Sequence, residues 1–354
     1  MVEFPTFGYQ AELQSRSSTE VVIETAIMIF IATTATFGNL MVCWAVLRNK
    51  RLRTIPNIYI VALAISDILM ATICMPMSIE VQITSKFIKS FSFCQFQGFF
   101  GFFSGFTSIQ IMTAMAIHRY YRVVKPSKYD KYFTVRRTIG SVVMVVIVAA
   151  FGAGLHLVCR WAIHAIHYGK VTCFTTFKTP QHEKRYIAFL SICYIMFPAC
   201  VISVCYLKIF RSVSNHKKMA FKQLPNTQGG SANGTLETKQ GKPPKLQTNV
   251  EEAKITKTLF VTVLGFTACW TPIAIIDMIE SFSSHTLPIP RQVFLLWIYL
   301  ANVSSSINPF IYGALNRSFQ KEFRRIIHFK SRNQIDGTHK AVSIRRNAAA
   351  EVRS

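Results

Sequence analysis

Asp67 stands in the middle of an apolar run, residues 57–81, that is long enough to cross a bilayer. An ionisable side chain at such depth is expensive to bury and marks a functional site or a specific partner. At ~1.5 Å per residue Asp67 lies near mid-bilayer. Ser108 follows Cys94 by 14 residues, which is ~21 Å along a helix axis and a comparable depth. Ser304, Ser305 and Asn308 bring hydroxyls and an amide into another run. A carboxylate among such oxygens suits a sodium ion and a few waters. The alternative is a hydrogen-bond cluster that only holds helices together.

A second constellation lies elsewhere along the same axis. Arg119 comes 25 residues after Cys94 and Glu252 comes 20 residues before Pro272, distances of ~37 Å and ~30 Å in helical rise. Both therefore reach the same face, where an ion pair would tie the third and sixth runs together until a conformational change separates them. Two separately solvated charges are the alternative. Between these constellations fall Phe266, Cys269, Trp270, Thr271 and Pro272. A proline inside a helix removes a backbone hydrogen bond and makes a kink. Pro198 and Pro309 do the same in the fifth and seventh runs, and polar neighbours re-satisfy the freed carbonyls.

The elements that must carry these residues are seven apolar runs, at about 21–47, 57–81, 91–118, 138–158, 186–209, 258–279 and 292–315. One crossing takes roughly 20 apolar residues, so the expected fold is an all-α, seven-transmembrane helix bundle. An odd number of crossings places the two ends on opposite sides. Of the 40 lysines and arginines, 9 fall on the side of the N-terminus and 31 on the other. Cytoplasmic segments retain positive charge. The N-terminus is accordingly expected outside and the C-terminus in the cytoplasm, in a multi-pass protein of the plasma membrane. The net charge of +24 would suggest nucleic acid only if the cations lined a soluble face. Here they flank the spans, where they attract anionic lipids and face a cytoplasmic partner.

The segments outside the spans divide the chain further. Residues 1–20 form a polar extracellular tail without the apolar core of a cleavable signal peptide, so the first span is expected to insert as its own signal. Residues 211–254 make the third cytoplasmic loop. Its centre, 223–248, is too poor in large apolar residues to offset the entropy of ordering, and reads as a flexible linker. Within 316–328, Phe319, Phe323, Ile326 and Ile327 alternate with Lys321, Arg324 and Arg325, the pattern of an amphipathic helix on the inner membrane surface. Residues 329–354 read as a disordered tail. Seven of the nine cysteines lie in or beside spans. The other two, Cys94 and Cys173, both lie on the oxidising side and are expected to form a disulfide that pins the fourth-to-fifth loop across the mouth of the bundle.

Several short motifs fall in order along these spans: Gly38-Asn39 in the first, Leu63-Ala64-Ile65-Ser66-Asp67 in the second and Cys94 opening the third. Then come His118-Arg119-Tyr120, Pro198 with Tyr206, Cys269-Trp270-Thr271-Pro272 and Asn308-Pro309-Phe310-Ile311-Tyr312. In this the chain resembles the rhodopsin-like (class A) G-protein-coupled receptors over nearly the whole membrane domain. The resemblance implies that Asp67, Ser108 and Asn308, with Ser304 beside them, form a sodium pocket. It implies that Phe266, Trp270, Pro272, Pro309 and Tyr312 form an activation switch. His118, Arg119, Tyr120, Tyr206 and Glu252 would be the G-protein coupling residues, with Glu252 the acidic partner of Arg119. The implied activity is not enzymatic: agonist binding outside promotes nucleotide exchange on a heterotrimeric G protein, with arrestin and a receptor kinase as further cytoplasmic partners.

Three departures from the family pattern stand out. His118 occupies the place of the usual acidic residue and, with an unperturbed pKa near 6.5, does not neutralise the arginine as a carboxylate would. Raised basal signalling is the expected consequence. The fourth span lacks the family's tryptophan, since Trp161 follows it, and Ser304 replaces an asparagine often found beside the sodium pocket.

The ligand is bounded mainly by exclusion. Gly101 stands where amine receptors carry a carboxylate, and Asn302 stands where opsins carry the retinal lysine, so neither a biogenic amine nor covalent retinal is expected. Lys128-Tyr129-Asp130-Lys131, Ile289-Pro290 and Ile311-Tyr312-Gly313-Ala314-Leu315-Asn316 are similar to melatonin receptors and related orphans. Tyr194 and His156, however, stand where those receptors carry a histidine and an asparagine. Tyr194, Trp270, Asp277, Tyr299 and Asn302, with Glu280, are the polar candidates near the mouth. A mainly apolar pocket with a few polar groups suits a small, partly aromatic ligand. Asp277 and Glu280 would instead meet a cation or a basic peptide, or be solvated at the rim. A peptide receptor and a lysine-less opsin relative are the nearer alternatives. A transporter or channel is more remote, because no internal repeat is present.

Overall fold

The computed structural model describes residues 8–222, 244–283 and 287–327, with side chains placed except at 216–222 and 244–254. Residues 329–354, most of the linker centre and the Glu252 side chain lie outside the described residues. Seven helices are long and apolar enough to cross a membrane: α1 (Ser18–Arg48), α2 (Ile55–Thr84), α3 (Phe91–Val124), α4 (Val135–Val158), α5 (Pro180–Asn215), α6 (Ile255–Phe282) and α7 (Arg291–Leu315). Helical backbone continues beyond α5 to Lys222 and precedes α6 from Pro244. Helix therefore occupies both flanks of the segment read as a loop. A short helix, α8, covers residues 317–327.

Local chemistry sets where the helices begin. At α1, Ser17 and Glu20 form a reciprocal capping box in which each satisfies a backbone N–H of the other. Ser90, Thr134 and Thr179 accept bonds from the first turns of α3, α4 and α5, satisfying donors that the helix itself leaves open. Helix geometry loosens at the prolines. Five residues of α2 (Met70–Cys74) and six of α5 (Ser191–Met196) are π-helical just ahead of Pro76 and Pro198, while Pro272 and Pro309 lie inside α6 and α7. Removing one backbone donor leaves a carbonyl that only a wider or bent turn can accommodate.

The bundle is apolar outside as well as inside. Phe30, Phe37, Trp44, Met144 and Phe151 are exposed on its flanks, the distribution expected when lipid is the solvent. The core at one end packs Leu63, Ile111, Met115, Ile209, Leu259 and Tyr312 with Phe319 and Phe323 of α8. The expected amphipathic character of α8 is seen in this packing. Phe319 and Phe323 turn into the bundle, while Ile327 remains exposed. Two differences concern α3 and the N-terminal tail. α3 continues past His118 to Val124, so Arg119 lies within the helix and not at its end. A short helix, Tyr9–Gln14, precedes α1 and buries Tyr9 and Leu13, so part of the N-terminal tail is packed.

One element departs from the all-helical pattern. β1 (Ala162–His167) and β2 (Thr172–Phe177) form an antiparallel hairpin with Ala162 opposite Phe177 and His167 opposite Thr172. Cys94 of α3 is disulfide-bonded to Cys173 of β2. Two glutamines of α3 complete the attachment. Gln95 bonds both the N–H and the carbonyl of His164, and Gln97 donates to Thr172 Oγ1 at 2.7 Å and accepts from the Cys173 N–H at 3.1 Å.

Candidate functional site

Asp67 is buried in α2, and its carboxylate accepts a 2.9 Å hydrogen bond from the Asn308 amide of α7. Ser108 and Ser304 are buried too, but their hydroxyls donate to carbonyls of their own helices, Ser104 O at 2.9 Å and Ala301 O at 2.7 Å. Their oxygens keep lone pairs for a further donor or a cation. Asn39 of α1 donates to the Ser305 carbonyl at 2.9 Å, bringing α1 and α7 together beside this cluster. Among the described residues no group of three His, Cys, Asp or Glu side chains could hold a metal ion. A cation at Asp67 would therefore depend on neutral oxygens, which suits a hard monovalent ion and not a transition metal.

At the opposite end of α3 from the disulfide, Arg119 is 1 % exposed. His118 beside it is equally buried, and its Nε2 lies 2.8 Å from the Tyr129 hydroxyl. Its ring meets Tyr129 and Phe133 edge-on, while Arg122 stacks over Tyr129. His118 thus fastens α3 to the short helix Pro126–Tyr132. Tyr206 and Tyr312 are buried in the same core, Tyr206 against Phe260 and Tyr312 against Phe319, and Lys125 and Lys208 approach the ring of Tyr120. A basin of about 650 Å³ bordered by Asp130, Lys131, Thr134, Arg136 and Arg137 opens beside this end.

Between the two ends, Trp270 stacks on Phe266 with ring centroids 5.4 Å apart. Its buried indole N–H has no partner among the described residues, which leaves a donor for a ligand or a water. The other candidates near the mouth are largely engaged already. Tyr194 donates to the Val148 carbonyl, Tyr299 to the Glu24 carbonyl, and Asn302 to the Ile298 carbonyl.

Asp277 and Glu280 are ion-paired and not simply solvated at a rim: Glu280 is buried and Asp277 half-buried. Both bind Lys170 from the hairpin turn, at 2.9 and 2.7 Å, and Lys170 is completely buried. Trp297 Nε1 donates to Asp277 at 2.9 Å, and His167 Nε2 lies 3.0 Å from Glu280. The Lys170 backbone N–H donates to His167 Nδ1. Nδ1 must therefore be the acceptor, which puts the proton of a neutral imidazole on Nε2, facing Glu280. Burial likewise lowers the His167 pKa. For Lys170, burial favours loss of the proton, but Asp277 and Glu280 outweigh it and hold the pKa above its ordinary value.

With this geometry in view, residues 38–312 match the family model described as "7 transmembrane receptor (rhodopsin family)". The chain belongs to the rhodopsin-family seven-transmembrane receptors. The receptor is 27% identical over 328 residues to the pyroglutamylated RF-amide peptide receptor of Mus musculus, covering 89% of this chain and 71% of that protein. It is 28% identical to the adenosine receptor A2a of Homo sapiens, over 88% and 72%. Against melatonin receptor type 1A of Ovis aries the identity is 26%, over 85% and 76%. The crystal structure of squid rhodopsin superposes with a TM-score of 0.75 at 22% identity, covering 93% of this chain and 90% of that one, which is a likeness of fold.

The receptor also contains a network that reading the spans did not bring out. Glu24 of α1 binds Arg16 at 2.6 Å and Arg291 of α7 through both carboxylate oxygens, at 2.7 and 3.0 Å. Arg16 also donates to the carbonyls of Leu13 and Gln82. Arg16 and Arg291 flank spans and Glu24 is only the fourth residue of the run 21–47, positions where a charge attracts no notice. Only their shared burial marks them.

Proposed function

We propose that this receptor binds an extracellular ligand at the disulfide end and activates a heterotrimeric G protein at the Arg119 end, from a plasma membrane in which the N-terminus lies outside. The observation that carries the reading is the course of α6. This one helix bears Asp277 and Glu280 at the mouth and Trp270 and Pro272 at mid-depth, and it lines the core beside Arg119 with Leu259 and Phe260. A force on its outer part is therefore transmitted through a proline hinge to the inner face. Arg119, His118, Tyr120, Tyr206 and Glu252 are assigned to coupling, and Phe266, Trp270, Pro272, Pro309 and Tyr312 to the switch. Asp67, with Ser108, Ser304 and Asn308, is assigned an allosteric sodium ion, which would supply charge compensation and nothing chemical.

A small ligand contacting Trp270, Asp277, Tyr299 and Asn302 is the first reading, and Tyr194, bonded to the Val148 carbonyl of α4, borders that region. A peptide with a basic group is the second reading. It is favoured by the two carboxylates on α6 and by the peptide named for one of the relatives above. The test is expression in cells reporting several G-protein families. Basal signalling is expected for the wild type, reduced at least severalfold by His118→Asp and abolished by Arg119→Ala at equal surface expression. If His118→Asp leaves basal signalling unchanged, Glu252 and not His118 sets the resting state; if no family responds to any ligand and no basal signal exists, the coupling assignment fails.

A further inference from the structure

Of the two charged residues among the largest fully buried side chains, Arg119 and Lys170, the proposed activity leaves Lys170 unused, and its surroundings are those of a bound ligand. Its Nζ meets two carboxylates and lies 3.6 Å from the ring centroid of Phe174, 4.9 Å from Trp297 and 5.5 Å from Phe294. Carboxylates combined with aromatic faces recognise organic ammonium groups through charge and the ring quadrupole together. His167 presents a neutral N–H to Glu280, so Lys170 is the ammonium that faces the two carboxylates of the cage. The cage is not sealed, since the Asp277 side chain is 32 % exposed. Next to Lys170, the β-branched Val171 holds φ at +45°, a conformation such residues rarely adopt. The turn is thus held by the anchorage of Lys170 and not by local preference.

We propose that Asp277, Glu280, Phe294 and Trp297 form a recognition site for an aliphatic ammonium group, which the receptor's own Lys170 fills, so that a cationic ligand enters by exchanging with Lys170. The proposal deepens the ligand-binding reading above by giving the mouth a chemical preference and an internal occupant. Asp277 lies seven residues, two helical turns or ~10 Å, beyond Trp270 on α6. Exchange at the cage therefore acts on the face of α6 that carries the switch.

The test uses the full-length receptor in lipid nanodiscs and needs no G protein, so it fails or succeeds independently of the coupling assignment. Lys170→Ala removes the atoms of n-propylammonium beyond Cβ. The variant is expected to melt several degrees below wild type and to regain at least half of that loss on titration with n-propylammonium chloride, but not with n-propanol. A wild-type melting temperature for the variant, no recovery, or equal recovery with the alcohol overturns the proposal. Wild-type protein supplies a second reading that no folding defect can spoil. n-Propylammonium, and not n-propanol, is expected to speed amide hydrogen exchange at residues 167–173 at least threefold. Exchange unchanged throughout the titration overturns it.

Discussion

His164 shows what burial does to a titratable group in the hairpin. It is fully enclosed between Phe102 and His156, with the Thr175 hydroxyl 3.5 Å from Nδ1. Burial first, and then the neighbouring His156, push its pKa down to about 3. The unfolded chain takes up that proton near its ordinary value of about 6.5. The contribution to stability is therefore complete above about pH 6.5 and is lost as the pH falls toward about 3, at about 1.4 kcal/mol per pH unit. Moving from pH 7.5 to 5 should cost about 2 kcal/mol, visible as a lower melting temperature, and His164→Gln should remove that part of the acid sensitivity. If the variant keeps the full dependence, another group is responsible. Not every important side chain can be read from sequence alone. Asp67 and Arg119 stand out because a charge in an apolar run contradicts its surroundings. His164 and Lys170 lie outside the spans and Glu24 near the outer limit of one, where a polar side chain is unremarkable, and only their burial in the fold distinguishes them.

The hairpin is held against α3 by close approach as much as by hydrogen bonds. A Cβ on Gly98 would fall 2.4 Å from the His164 ring, so even a methyl group must push β1 away. Gly98→Ala is expected to cost about 1–3 kcal/mol by overpacking and to speed hydrogen exchange across residues 162–177. Gly140→Ala, which meets nothing within 4 Å, is the control expected to leave both unchanged. Normal exchange in Gly98→Ala would mean that the disulfide and the glutamines alone fix the hairpin. The helices were legible because hydropathy over about 20 residues is a local property. The hairpin was not, because β1 (AIHAIH) and β2 (TCFTTF) lack the strict alternation of apolar and polar residues that reveals a half-exposed strand. α8 was legible as an amphipathic helix, and only the fold shows that Phe319 and Phe323 of its apolar face meet the bundle.

The Cys94–Cys173 bridge spans 79 residues of sequence and joins the top of α3 to the lid over the mouth. Closing a loop of that size in the unfolded chain is worth about 4 kcal/mol in the entropic account. The double variant Cys94→Ser, Cys173→Ser should lose a comparable amount in thermal melting, together with the hairpin's protection from exchange. Retained protection would shift the anchoring role to Lys170 and Gln97.

Sequence by itself determined the seven crossings, the lopsided charge of the segments between them, and the family motifs inside them. Each of these follows from composition within a single span or loop, because a bilayer imposes the same length and polarity on every segment that enters it. Tertiary structure decided what occupies the mouth. Lys170 meets Asp277 and Glu280 from 107 and 110 residues away, and Glu24 meets Arg291 across 267. No local pattern encodes such pairings, because they depend on how seven helices pack and on where a short buried hairpin comes to rest between them.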